Sequence, residues 1–363
     1  MANETSGRTP AKGCAHDRAW GRMRGDERGW GTMGRMYVYA GIDEAGYGPL
    51  LGPMTIGRTV FVLPDDASSP SGPPDLWQKL QRTVCRRLAG RKGRLAINDS
   101  KKLTTKAAGI KYLEQGCLSF ASLAGHQADS VDAWLSVLGE TCHQDLTSLP
   151  WYAPCADRPW ETLPVTHSAD ERRIDRAMLI KDAQAHNITL ADLGVAVVLE
   201  DRFNQMVTAT RSKAAVNFTF VAGHLQHIWE HFAMHHAHVA VDRQGGRISY
   251  RDLLQLNFPK AQLTVLGQSP TRSAYRLTQN DRTMTVTFQP HAETAHMPTA
   301  LASMLAKYTR ELMMARFNAY FCARVTGLAP TAGYATDAKR WLTQMQPHWS
   351  VLGHDPAQVR RLA

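Results

Sequence analysis

Within Tyr37 to Pro53, YVYAGIDEAGYGPLLGP, two acids stand side by side. Asp43 and Glu44 close a β-rich run and are followed at once by a Gly-Tyr-Gly-Pro stretch. Neighbouring carboxylates at the end of a core strand repel each other and resist burial unless something positive neutralises them. Oxygen-only ligands suit a hard divalent ion, Mg²⁺ or Mn²⁺. Two such ions about 4 Å apart can activate water and stabilise a leaving oxygen on phosphate. Two further acids could complete a site of this kind. Asp242 ends the apolar run HVAVD, and Glu311 lies in a helical pattern beside Leu301, Met304, Leu305 and Tyr308. Taken singly, each has a plainer reading: a strand-end acid caps the next helix, and a mid-helix Glu faces water.

Gly46, Tyr47 and Gly48 read either as a tight turn or as backbone free to approach a phosphate or sugar. Lys101 and Lys102 in DSKKL stand at a helix start, a place that suits phosphate, and equally a solvated pair. A third feature invites a zinc hypothesis. HLQHIWEHFAMHHAH places His224, His227, His231, His235 and His238 at helical spacing. Val221, Leu225, Ile228 and Phe232 line another face of that helix, so the histidine stripe is expected to point at solvent.

These residues need a scaffold. Strands are predicted over the run before Asp43, over 54–63, at HVAVD (238–242), and at AQLTVLGQ, SAYRLTQ and RTMTVTFQ, with a tight turn at Gln279-Asn280-Asp281. Helices are predicted over 76–89 from Leu76, Leu80, Val84 and Leu88, after NDSKKLTTK, over 169–185, over 191–235 and over 298–321. Pro150, Pro154, Pro159 and Pro164 exclude a regular element through 143–168. Strands broken by helices point to an α/β or α+β domain.

Residues 1–35 hold glycines and basic residues without hydrophobic period, and read as a disordered tail or a spurious N-terminal extension, with a basic nucleic-acid-binding arm as the alternative. Residues 36–363 are expected to form a single domain. The net charge of +10 favours a polyanionic partner such as nucleic acid. The six cysteines form no Cys-x-x-Cys, so reduced thiols are expected. No run reaches the roughly 18 apolar residues of a membrane helix, so no membrane contact and a cytoplasmic location are expected.

Taken together, the motifs resemble one family. GIDEAGYGPLLGP followed by NDSKKLT is similar to ribonuclease HII, the type 2 branch of the ribonuclease H family. HVAVD resembles the strand carrying that family's third acid. HAETAHMPTALASMLAKYTRE resembles its run of small residues, an Ala-Lys, and an acid just after an Arg. PTAGYATDAKRWL resembles its tyrosine motif, in a form closer to archaeal and eukaryotic members.

The resemblance touches most of 37–105 and 195–343. It implies a ribonuclease H-like fold: a central mixed sheet flanked by helices, a helical C-terminal part, and here an irregular and helical insertion near 107–190. It implies Mg²⁺- or Mn²⁺-dependent hydrolysis at a two-metal site, acting on RNA/DNA hybrids and on ribonucleotides embedded in duplex DNA, with 3′-hydroxyl and 5′-phosphate products. A monomer is expected.

Asp43, Glu44, Asp242 and Glu311 fall where the family's metal-binding acids lie. Gly46, Tyr47 and Gly48 fall where its backbone reads the ribose 2′-hydroxyl, and Tyr334 where a tyrosine packs on the neighbouring sugar. Four departures stand out. Tyr47 replaces the usual Arg, Glu311 and Glu293 replace Asp, and the interval between Asp99 and Asp242 is long. Trp151, Tyr152 and Trp160 in that interval could stack on a base, but are expected to pin the loop to its own domain. Two rival readings keep the scaffold: a non-catalytic hybrid- or junction-binding module, which intact acids argue against, and a metal nuclease of altered specificity.

Overall fold

The computed structural model describes residues 36–64, 73–138, 149–155 and 158–362, which fall in one compact unit, Arg35–Ala363. Residues 1–35, on which the tail reading rests, lie outside the described residues.

In chain order the elements are β1 (Met36–Ala45), β2 (Met54–Pro64), α1 (Leu76–Lys79), β3 (Val84–Cys85), β4 (Leu95–Ala96), α2 (Ser100–Leu103), α3 (Lys111–Leu123), α4 (Val131–Leu138), α5 (Ala169–Ala185), β5 (Thr189–Val198), α6 (Glu200–Thr210) and α7 (Lys213–Phe232). There follow β6 (Ala237–Asp242), α8 (Arg251–Asn257), β7 (Gln262–Gln268), β8 (Ser273–Gln279), β9 (Arg282–Gln289), α9 (Ala292–Ala295), α10 (Met297–Arg324), α11 (Ala335–Met345), α12 (Trp349–Leu352) and α13 (Pro356–Val359). Seven strands form one mixed sheet in the order β5-β2-β1-β6-β9-β8-β7. The pairs β1/β6 and β6/β9 are parallel, and the others antiparallel. This is the central mixed sheet with flanking helices and a helical C-terminal part expected from the motifs.

The run of small residues in α10 has a direct physical reason. A Cβ on Gly41 of β1 would sit 2.1 Å from the Thr299 backbone nitrogen, and one on Gly57 of β2 would sit 2.2 Å from the Ala302 carbonyl. Helix backbone therefore rests on strand backbone, which only glycine and its small neighbours allow. Threonines stitch the layers: Thr55 donates to the Ala306 carbonyl (2.8 Å), Thr59 to Pro298 (2.8 Å) and Thr299 to Ala240 (3.0 Å). The period of two along β2 sends Thr55, Gly57 and Thr59 to α10, while Arg58 meets α7 on the opposite face.

Three expectations are corrected. The helix predicted over 76–89 is a single turn, α1, capped by Asp75. The chain then enters β3, because turn glycines at 90 and 93 bring Leu95 and Ala96 back to pair with Val84 and Cys85. The apolar spacing served burial without helix: Leu76, Leu80 and Val84 are all in the core. Second, the start of the helical pattern over 191–235 is strand β5, whose Leu193–Val198 run is buried and pairs with β2; helix begins only at Glu200.

Third, the histidine stripe does not face solvent throughout. His224 is buried, its Nδ1 2.8 Å from Arg58 and its Nε2 2.9 Å from the Ile56 carbonyl, while Arg58 ion-pairs with Asp192 of β5 at 2.6 Å. His227 lies 3.4 Å from the same Asp192. Because α7 ends at Phe232, His235 sits in the turn beyond it, and His238 belongs to β6, stacked on Tyr37.

In the insertion, Trp151 and Tyr152 are buried against Phe321 and Phe317 of α10, and Trp134 packs on Tyr308. They pin the segment, leaving no stacking face open at Trp151 or Tyr152.

Candidate active site

The parallel pair β1/β6 ends with Asp43 and Glu44 on one strand and Asp242 on the other. Backbone leaves β9, passes the left-handed His291, and turns into α9, bringing Glu293 to the same place. Asp242 accepts the Ala292 N–H at 3.0 Å, which ties this turn to the end of β6.

The four carboxylates feel one another. Burial pushes Asp43 well above its usual range, and the charges of Glu44, Asp242 and Glu293 push it further; the Ser303 hydroxyl from α10 opposes them. Burial, then the charge of Asp242, raises Glu44 to about 7. Burial also raises Asp242 and Glu293, and Asp242 adds to the rise at Glu293. Lys101, at the first turn of α2, opposes the rise at both Glu44 and Asp242. The buried amide of Asn217 on α7 also holds Glu44 down, although it closes no hydrogen bond. Lys101 and Lys102 are both exposed, and Lys101 is among the larger influences on Glu44 and Asp242.

Glu311 is not brought into this group. Its carboxylate is taken by Lys307 one helical turn earlier (Nζ–Oε1 2.5 Å), with Arg310 Nη1 at 4.0 Å, and it is not among the larger influences on Asp43, Glu44, Asp242 or Glu293. The structure therefore puts Glu293 in the fourth place that the sequence suggested for Glu311. The reason is geometric: α10 meets Asp43 at Ser303 and by Arg310 already lies beneath Gly46, past the acids, whereas α9 is tied to the end of β6. A signal was present in the sequence, since Glu293 follows the apolar strand β9 as Asp242 follows β6.

The glycine loop is held from beneath. Gly46 has φ +80°, and a Cβ there would strike Arg310 Nε and the Pro53 carbonyl, each at 2.7 Å. Gly48 is exposed, and a Cβ there would meet nothing within 4 Å. Gly46 is thus required by the fold, whereas Gly48 leaves open surface. Tyr47 is raised by burial and then by the charge of Glu44, so its phenol lies within the field of the acid cluster.

Arg310, fully buried, donates to the carbonyls of Leu51 (3.0 Å) and Ala332 (3.1 Å). Its guanidinium carbon also lies 5.4 Å from the centre of the Tyr334 ring, which is exposed. Leu50 and Leu51 N–H groups donate to the Gly333 carbonyl, which ties the segment carrying Tyr334 to the glycine loop.

Sequence reasoning missed two groups here. Buried Glu200 accepts the Gly52 N–H (3.1 Å) and the Tyr152 hydroxyl (2.6 Å), and burial raises it to about 7. From the far end of the described chain, Arg361 donates Nε to Pro49 (3.0 Å) and Nη2 to Tyr47 (3.3 Å), while its own N–H donates to Leu50 (2.8 Å). A lone Arg in an unpatterned segment carries no signal in the sequence.

The donor set fits a hard divalent ion. It is all oxygen, buried or half-buried, and held above its normal pKa first by burial and then, for most of the four, by the neighbouring carboxylates, a cost that a cation removes. Among the described residues, no three His, Cys, Asp or Glu side chains are gathered tightly enough to ligate one ion as they stand. Repelling carboxylates without a cation are expected to splay. No helix among the described residues is long and apolar enough to cross a membrane.

No family model matches the chain, and no curated protein matches it by sequence. The solved structures it is similar to are ribonucleases H. The PCNA:RNase HII complex from Archaeoglobus fulgidus aligns at 14% identity over 89% of this chain and 93% of that one, with a TM-score of 0.38. Ribonuclease H2 from Pyrococcus horikoshii OT3 aligns at 15% over 89% and 92%, with a TM-score of 0.42. Bst-RNase HIII in complex with Mn²⁺ aligns at 13% over 99% and 72%, with a TM-score of 0.39.

Proposed function

We propose that this chain is a divalent-metal-dependent endoribonuclease. It would cut the RNA strand of RNA/DNA hybrids and ribonucleotides embedded in duplex DNA, leaving 3′-hydroxyl and 5′-phosphate ends. The observation that carries the reading is the convergence of Asp43, Glu44, Asp242 and Glu293, each pushed toward neutrality by burial and most of them by one another as well. A binding module has no use for such crowding, which only lowers stability; a metal-dependent hydrolase needs it.

These four acids would hold Mg²⁺ or Mn²⁺. Bound there, such ions supply an activated water and charge stabilisation at the departing 3′-oxygen. The chain's own groups do the rest. Lys101 offsets the negative field that an incoming phosphate would otherwise meet. Gly46, Tyr47 and Gly48 offer backbone beside the acids where a ribose 2′-hydroxyl could be read, and Arg310 fixes that loop from below. Tyr334 presents an exposed ring on the segment tied to that loop, suited to packing on the neighbouring sugar.

A second reading, a metal nuclease of altered specificity, is favoured by Tyr47. A phenol stands where the resembling family carries a guanidinium, so any side-chain contribution to junction reading is replaced. The test is cleavage of three matched duplexes in Mg²⁺ or Mn²⁺: all DNA, one embedded ribonucleotide, and full RNA/DNA hybrid, each with an Asp43→Asn control. Incision at the ribonucleotide, lost in the control, is the expected result. Cutting of the full hybrid alone selects the second reading, and tight binding without cleavage of any duplex rejects both.

A further inference from the structure

The segment RTVCRRLAGRKGR, residues 82–94, holds six basic residues and no acid. Arg82 lies just before β3 and the other five lie on the loop that joins β3 to β4, where three of them are occupied in building it. Arg94 donates to the carbonyls of Arg91 (3.1 Å), Gln81 (3.1 Å) and Gly90 (3.2 Å). Arg91 bonds Gln115 (2.8 Å) and lies over Tyr112. Arg86 lies 4.0 Å over the Trp77 ring and pairs with Asp75 at 2.9 Å. The remaining three, Arg82, Arg87 and Lys92, are exposed, and among the described residues their side chains make no ion pair.

This loop is fastened to the acid site. Arg86 reaches the carbonyl of Thr294, the residue after Glu293 (3.4 Å), and Asn98 donates to the Arg86 carbonyl (2.5 Å). From β4 the chain runs directly through Asn98 and Asp99 into Lys101. A depression of about 440 Å³ bounded by Trp77, Arg86, Arg87 and Arg94 opens on this flank.

We propose that the 82–94 segment is a backbone-phosphate clamp: Arg82, Arg87 and Lys92 hold the sugar-phosphate backbone of the duplex outside the four acids. The inference rests on the nuclease reading above. A polyanion approaching four clustered carboxylates is repelled, and exposed cations on a stapled loop beside them supply the compensating attraction. Contacts of this kind are indifferent to sugar and base, so the clamp serves RNA/DNA and DNA/DNA alike.

The test is duplex binding by the full-length protein in chelator, followed by fluorescence anisotropy over a range of salt concentrations, with a hybrid and a DNA duplex of one sequence. The Arg87→Gln/Lys92→Gln variant is expected to bind both duplexes roughly tenfold more weakly at 0.1 M salt, with the log–log salt slope reduced by about 0.9 for each phosphate that is no longer neutralised. In cleavage assays its KM rises while kcat holds, and thermal unfolding matches the parent because both side chains are exposed. An unchanged slope and KM overturn the clamp, even if the parent cleaves ribonucleotides as proposed. A parent that binds with a steep slope that the variant loses, yet cleaves nothing, leaves the clamp standing and removes the nuclease reading.

Discussion

The central sheet carries two polar clusters within its buried layers, one around Arg58 and one around Asp43, and they follow opposite electrostatic rules. Around Arg58 a guanidinium from β2, a carboxylate from β5 and an imidazole from α7 meet at hydrogen-bond distance, and cation faces anion. Around Asp43 four carboxylates from β1, β6 and α9 are driven together with one nearby lysine. The first cluster is stable as it stands. The second lowers stability as it stands, and on the function proposed above a bound cation would relieve it. The same fold thus shows what a structural polar cluster looks like and, by contrast, what a site under functional demand looks like.

The comparison can be broken most sharply at Asp43. Asp43→Asn is expected to reduce cleavage about 10³-fold or more, while raising the melting temperature of the metal-free protein by relieving like-charge burial. A calorimetric scan in chelator beside the activity assay would show both; a melting temperature that falls would refute the crowding argument. At the other cluster the sign inverts: Asp192→Ala strands the Arg58 charge and is expected to cost roughly 3–5 kcal/mol, read from denaturant unfolding.

The pH dependence comes next. Glu44 ionises at about 7 in the folded chain against 4.5 ordinarily. Between those values the folded chain keeps a proton that the unfolded chain has lost. Stability of the metal-free protein therefore falls as pH rises from about 4.5 through 7, by on the order of 3 kcal/mol from this group. Buried Glu200, also at about 7, adds a similar slope, and Glu200→Gln separates its share. Saturating Mg²⁺ is expected to flatten the part that belongs to the acid cluster; a metal-free protein more stable at pH 8 than at pH 5 contradicts the sign.

The smallest effect sharpens the membership of the site. Glu293→Gln is expected to slow cleavage by about 10–50-fold, the scale of a misplaced reacting group, whereas Glu311→Gln changes it less than about threefold. Equal losses would return Glu311 to the acid group.

Much of this was legible because period and chemistry agreed. The strand before Asp43, the strand before Asp242, the β7–β9 meander and helix α10 all carry patterns that tertiary packing reinforces. The pattern misled where burial on both faces erased it: the Leu193–Val198 run suits a central strand as well as a helix, and only its pairing with β2 decides. Leu76, Leu80 and Val84 are buried as a helix would bury them, yet the glycines at 90 and 93 turn the chain into a different element.

At the site, Asp43, Glu44 and Asp242 were readable because each ends an apolar strand. Glu293 lies in α9, four residues past the end of β9, and Glu311 sat in the more conspicuous motif. The Arg58 cluster could not be read, since a buried Arg on a strand is visible only through partners 134 and 166 residues away.

The Arg361 contact sets a clock on the glycine loop. The Arg361 guanidinium and the Pro49 carbonyl it grips lie 312 residues apart in the chain. At about 5–20 residues per second, that interval takes on the order of 15–60 s to synthesise. During this time β1 and its acids already exist, while the carbonyls of Tyr47 and Pro49 wait for their partner. A nascent chain thus carries Asp43 and Glu44 long before the loop that follows them gains the guanidinium that fixes its carbonyls.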